Sequence, residues 1–163
     1  KLSENGKDQG VKLAFKGGMV GQRSLVSGEP TNLTAVAVND MQICFVPKTE
    51  ILQDLQKNPN FSLDVLKTMA ADLKNADDQL VDMAQKNVKQ RLADTLLYVE
   101  EKFGTDKDGF LFLTLSREDY ASIVGTATES AIRILSQFKK LGLISTKGKQ
   151  IKLEDKLGLQ RME

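Results

Sequence analysis

Residues 116–142 read SREDYASIVGTATESAIRILSQFKKLG. The first half predicts a short helix. Ser116 is placed as its N-cap, with Asp119 as the reciprocal partner of a capping box. Tyr120, Ile123 and Val124 form its inner face, and Gly125 ends it. The second half opens with Thr126 and Glu129, again spaced as a capping box. Ala131, Ile134, Leu135, Phe138 and Leu141 then recur at helical spacing and predict one apolar face. Thr128, Glu129, Ile132, Arg133 and Ser136 are left on the opposite side. A capped helix, a glycine turn and a second helix with a polar outer face predict a helix-turn-helix.

In that motif the N-terminal residues of the second helix reach base edges in the major groove. Arg133 has the fork that pairs with O6 and N7 of guanine, and Glu129 can accept from the cytosine amine. Ile132 suits a thymine methyl, and Thr126, Thr128 and Ser130 add hydroxyls at the same end. The same Glu129 and Arg133, one turn apart, could instead form an ordinary surface ion pair. Beyond Gly142, LISTKGKQIKLED predicts a hairpin with Lys147 and Lys149 at its tip, a basic wing beside phosphates.

Working outward, GTDKDG (104–109) reads as a loop and FLFLTL (110–115) as a short strand. Residues 61–103 contain neither glycine nor proline and predict a long helical region. Leu66, Met69, Leu73, Ala76, Leu80 and Met83 follow a 3–4 spacing, a seam narrow enough to suit a partner helix, most simply a second copy. The register fails at Asn87 and Gln90, and Val88, Leu92, Leu96, Val99 and Phe103 start another stripe. This predicts a helix break near 85–87. KTEILQDLQK (48–57) reads as a short helix stopped by Asn58-Pro59. Residues 1–47 read as β: VKLAF, LTAVAV and MQICFV are separated by turn text at Asn5-Gly6, Gly17-Gly18 and Asn39-Asp40. These strands are too few to enclose a core, which predicts further strands upstream. The expected domains are therefore 1–58, 59–86 and 87–163.

The 163 residues carry a net charge of +1. From Thr114 onward, nine Lys/Arg stand against six Asp/Glu; from Ile51 to Leu113, eight stand against eleven. The basic excess therefore lies at the helix-turn-helix end, as a polyanion partner requires. There is no histidine and one cysteine. That removes Ser-His-Asp and Cys-His chemistry and an intrachain disulfide. Asp77-Asp78 are consecutive on a helix and point apart, so no paired-carboxylate site is expected, nor an enzyme. No apolar run spans a membrane, and the reading is of a cytoplasmic protein. A dimeric sensor or scaffold whose helix-turn-helix makes protein contacts is the alternative.

With these residues in place, the chain resembles the CRP/FNR family of bacterial transcription regulators. GGMVGQRSL resembles the glycine-rich turn of the family's effector domain. ICFVPKTEILQDLQKNPNF resembles that domain's last strand and following helix. NVKQRLADTLLYV is similar to the first helix of the DNA-binding domain, and residues 115–155 are very close to its winged helix-turn-helix. The resemblance implies an α+β fold: a partial cyclic-nucleotide-binding-like β-roll, a long dimerisation helix and a C-terminal winged domain. It implies a homodimer on palindromic double-stranded DNA, with RNA polymerase as a further partner. Glu129 and Arg133 match base-reading positions and Arg117 a phosphate-contacting one. Thr128 and Ile132 depart from better-known members, so the half-site need not be theirs. Gly21, Gln22, Arg23, Ser24, Leu33 and Thr34 fall at the effector pocket. Gln22 replaces the Glu of cyclic-AMP binders, and the stretch Asn32–Ala35 lacks their Arg, so cyclic AMP is not the expected effector. No effector is identified. Cys44 matches a ligand of iron–sulfur members, but their other cysteines are absent here. A small buried hydrophobe is expected there, with no cluster and no metal.

Overall fold

The structure is a computed structural model describing residues 8–162; the Asn5-Gly6 turn lies outside them. The described residues fall into two compact units, one of residues 16–80 and one of residues 8–15 with 81–162.

In the first unit, α1 (Gln22–Ser27), α2 (Lys48–Lys57) and most of α3 (Pro59–Gln85) are helical. Asn58 ends α2 and also caps α3, its Oδ1 accepting from Phe61 N at 3.1 Å. Pro59 takes the first helical position, where a missing N–H costs nothing. The long helix thus begins two residues before its expected start. The strand readings at LTAVAV and MQICFV are corrected: both segments are irregular. A strand needs a ladder partner and a covered face. Here Val36, Ile43 and Phe45 are 77, 80 and 87% exposed. Cys44 is likewise exposed and free rather than buried, because no described residue covers its segment.

The second unit holds the core. Residues 8–15 belong to it: Gly10 N donates to Ser122 O at 3.1 Å and the Phe15 ring meets the Phe103 ring edge-on at 6.1 Å. VKLAF therefore buries Leu13 on a helical core instead of pairing as a strand. The end of α3 is followed by a break at Lys86–Asn87 and then α4 (Val88–Phe103). Asn87 and Gln90, where the apolar register fails, form a reciprocal capping box at 3.0 and 2.9 Å. Next come α5 (Arg117–Val124), α6 (Thr128–Lys140), the hairpin β1 (Ile144–Lys147) and β2 (Gln150–Leu153), and α7 (Lys156–Gln160). Leu92, Leu96 and Val99 of α4, Tyr120 and Val124 of α5, Leu135 and Phe138 of α6, and Ile144 and Ile151 of the hairpin are fully or almost fully buried. Each such side chain contributes about 1.5–3 kcal/mol of transfer free energy.

FLFLTL keeps its alternation, with Leu111, Leu113 and Leu115 inward and Phe112 outward, but it is no regular strand. Leu111 N donates to Ile151 O, whereas Phe112 N turns back to Gly104 O. The backbone donors are thus divided between the hairpin and the loop. The C-terminal helix α7 was not expected from the sequence. Asp155 caps it, Leu159 is buried beneath it, and Lys156 pairs with Glu100 of α4 at 2.6 Å.

Candidate nucleic-acid interface

The motif is built as its caps dictate. Ser116 Oγ accepts from Asp119 N at 3.0 Å, and the Asp119 carboxylate accepts from Ser116 N at 2.7 Å. Gly125 closes α5 at φ 67° and ψ 53°, a left-handed conformation that a Cβ disfavours. Thr126 N then donates to Ala121 O at 3.0 Å. That bond uses Thr126 to terminate α5, so the capping box expected from Thr126 and Glu129 does not form. The N-cap of α6 is Ala127, without a side-chain acceptor.

Helix α6 has two faces. Ala131, Ile134, Leu135 and Phe138 are buried against the core. Leu141 is 63% exposed rather than part of that face, because it is the C-cap and the chain turns away at Gly142. On the outer side Glu129, Arg133 and Ser136 are exposed and Ile132 is 46% exposed; Thr126, Thr128 and Ser130 are half-buried at the N-terminal end. Glu129 and Arg133 are one turn apart, yet no ion pair joins them among the described residues. Both head groups therefore remain available to a partner.

The wing supplies the flank. Ile144, Ser145, Thr146 and Lys147 pair antiparallel with Leu153, Lys152, Ile151 and Gln150, leaving Gly148-Lys149 as a two-residue turn. Gly148 has φ 59°, as the first central position of a type II′ turn requires. Arg117 Nη2 donates to Gly148 O at 3.3 Å, while its buried Nη1 has no partner. The structure thus brings Arg117 to the hairpin tip, between the exposed Lys147 and Lys149, which sequence spacing did not show. Tyr120, beneath this corner, has its phenol pushed above its ordinary value by burial and stays uncharged.

The other expected sites are distributed as follows. Leu66, Leu73 and Leu80 are 61, 64 and 72% exposed, Met83 is 41% exposed, Ala76 is exposed and Met69 half-buried, so one apolar seam lies uncovered along α3. Gly21 is the left-handed N-cap of α1. Gln22 is buried and its amide donates to Asp72 Oδ2 at 2.9 Å. Arg23 is hydrogen-bonded to Asn32, Ser24 is half-buried, and Leu33 and Thr34 are exposed. A cavity of about 220 Å³ lies elsewhere, against Lys86, Gln90, Asp94, Leu159, Gln160 and Met162. No group of three metal-ligating side chains occurs among the described residues, and none of their helices is long and apolar enough to cross a membrane.

Comparison with known proteins adds the following. Residues 90–162 match the Crp-like helix-turn-helix domain and residues 1–58 the cyclic nucleotide-binding domain. The chain is 28% identical over 166 aligned positions to the fumarate and nitrate reduction regulatory protein of Escherichia coli (strain K12), covering 99% of this chain and 65% of that protein. It is 29% identical over 159 positions to the protein of that name from Salmonella typhimurium, covering 94% and 62%. The chain therefore spans less than two thirds of these relatives. Among solved structures it is similar in fold to FixK2 from Bradyrhizobium japonicum (TM-score 0.66, 23% identity, 72% of this chain and 59% of that one). It is also similar to a CooA mutant from Carboxydothermus hydrogenoformans (TM-score 0.61, 24% identity, 69% and 53%).

Proposed function

Since the chain belongs to the CRP/FNR family of transcription regulators, we propose that it binds a palindromic DNA site as a homodimer and reads each half-site with α6. The carrying observation is the outer face of α6, where Glu129, Ile132 and Arg133 are exposed and unpaired, together with the basic corner of Arg117, Lys147 and Lys149 in the same compact unit. Arg133 would take guanine O6 and N7, Glu129 a cytosine amine and Ile132 a thymine methyl. The corner would take phosphates, which fix register without reading sequence.

The uncovered seam of α3 supports the dimer. A 3–4 repeat of apolar side chains left in water is what a two-stranded coiled coil buries. In this reading residues 1–58 sense, 59–86 dimerise and 87–163 read. The stretch Asn32–Ala35 offers no Arg to pair with an anionic cyclic phosphate, so the effector would be of another kind.

The test is selection of DNA fragments from random sequence by the purified chain, with Arg133→Ala in parallel at two salt concentrations. The expected result is a palindrome, with choice relaxed at one G·C pair per half-site in the variant. Absence of enrichment at both salts would mean either that an effector is needed for binding or that the helix-turn-helix has a protein-contact role.

A further inference from the structure

The break between α3 and α4 carries more polar bonding than a helix break needs. Lys86, the residue after α3, reaches back to Asp82 Oδ1 at 2.9 Å and across to Asp94 Oδ2 of α4 at 2.8 Å. One ammonium therefore ties the last turn of α3 to the second turn of α4. Without it, two carboxylates would face each other across the junction. The hydrogen bonds that the Lys86 ammonium donates to Asp94 and then Asp82 hold its pKa above the ordinary lysine value, so it stays charged through the neutral range.

Arg91 completes the connection. Its Nη1 donates to Lys86 O at 2.6 Å, and its Nε donates to Val124 O at 2.9 Å. Lys86 O belongs to the break and Val124 O to the last residue of α5. Both are helix-end carbonyls that lack an intrahelical partner, and a planar guanidinium can serve two acceptors at once. A third point lies alongside: Met83 Cε is 3.1 Å from where a Cβ on Gly125 would stand. The last turn of α3 thus touches the very turn that aims α6.

We propose that Lys86 and Arg91 are positioning residues, which fix the turn of the helix-turn-helix against the last turn of α3 and so set the placement of the α6 reading face. This rests on α6 being the DNA reader. Any change in the last turn of α3 then reaches Gly125 through a charged bridge and a guanidinium.

The experiment uses the full chain and the DNA it selects. Affinity is measured by fluorescence anisotropy at fixed salt, and amide hydrogen exchange is followed at Val124–Thr126 without DNA. Lys86→Met and Arg91→Met should each weaken binding about tenfold, as loss of a charged hydrogen bond implies, and should speed exchange at the turn. Lys86→Arg should restore both readouts. Lys74→Met, which removes a pair with Asp78 within α3 alone, should change neither. If Lys86→Met and Arg91→Met keep wild-type affinity and wild-type exchange, the proposal is overturned. If the wild-type chain binds no DNA, the reading of α6 fails, while the exchange comparison still decides the clamp. Should Arg91→Met fail to fold, Lys86→Met decides by itself, because its side chain is partly exposed.

Discussion

Arg133 and Glu129 show how one residue pair is resolved by its surroundings. Their spacing suits a surface ion pair, yet no ion pair joins them, which leaves both head groups free for the base-reading roles proposed above. Arg133→Ala should cost about 1–3 kcal/mol of discrimination at one G·C position per half-site, read by competition between DNA sequences. Gly125 is decided by backbone geometry instead. At φ 67° any Cβ is strained, and it would also press on Met83. Gly125→Ala should therefore destabilise the chain by about 1–2 kcal/mol in urea unfolding. Arg117 is the residue whose setting was least visible in the sequence. Its match to a phosphate-contacting position came from resemblance, but its bond to Gly148 depends on a hairpin thirty-one residues away.

At the scale of elements, caps proved more legible than strands. Ser116 with Asp119 is a local device, complete within four residues and read from its text; Asn87 with Gln90 is equally local, although the text there was read only as a break. Asn87→Ala should remove the bond from Gln90 N to the Asn87 side chain and cost about 1 kcal/mol in thermal or urea unfolding. The Thr126–Glu129 box failed because the end of α5 competes for Thr126, a competition between two elements that neither half of the text records. Strands at LTAVAV and MQICFV carried the right composition but needed partners from elsewhere. Helix α3 lies between these cases. Its seam is exposed in the chain, so Leu73→Asp should leave the unfolding transition of the core unchanged. By the homodimer reading it should reduce the mass in sedimentation to that of a monomer.

At the scale of the molecule, charge placement matters more than the net +1. Arg117 joins Lys147 and Lys149 at one corner although it lies 31 residues from Gly148 at their turn. Each phosphate neutralised adds roughly 0.9 to the slope of log affinity against log salt. Lys149→Ala in a dimer should thus lower that slope by roughly 2 and weaken all sequences alike, measured by salt titration on matched and mismatched DNA.

The sequence by itself determined α2 to α6, the break between α3 and α4 and the two faces of α6, but neither α1 nor α7, because periodicity, caps and glycine stops act within a few residues. The resemblance to the family was legible as well, since residues 115–155 carry a continuous text. Only the tertiary structure decided that Thr126 closes α5, that VKLAF packs on the reader core, that α7 covers α4 and that Lys86 and Arg91 join α3 to the turn. Each of these is a choice among competing partners for one donor, acceptor or apolar surface. Such choices are settled by which groups the fold brings within about 3 Å of one another, and sequence spacing does not contain that distance.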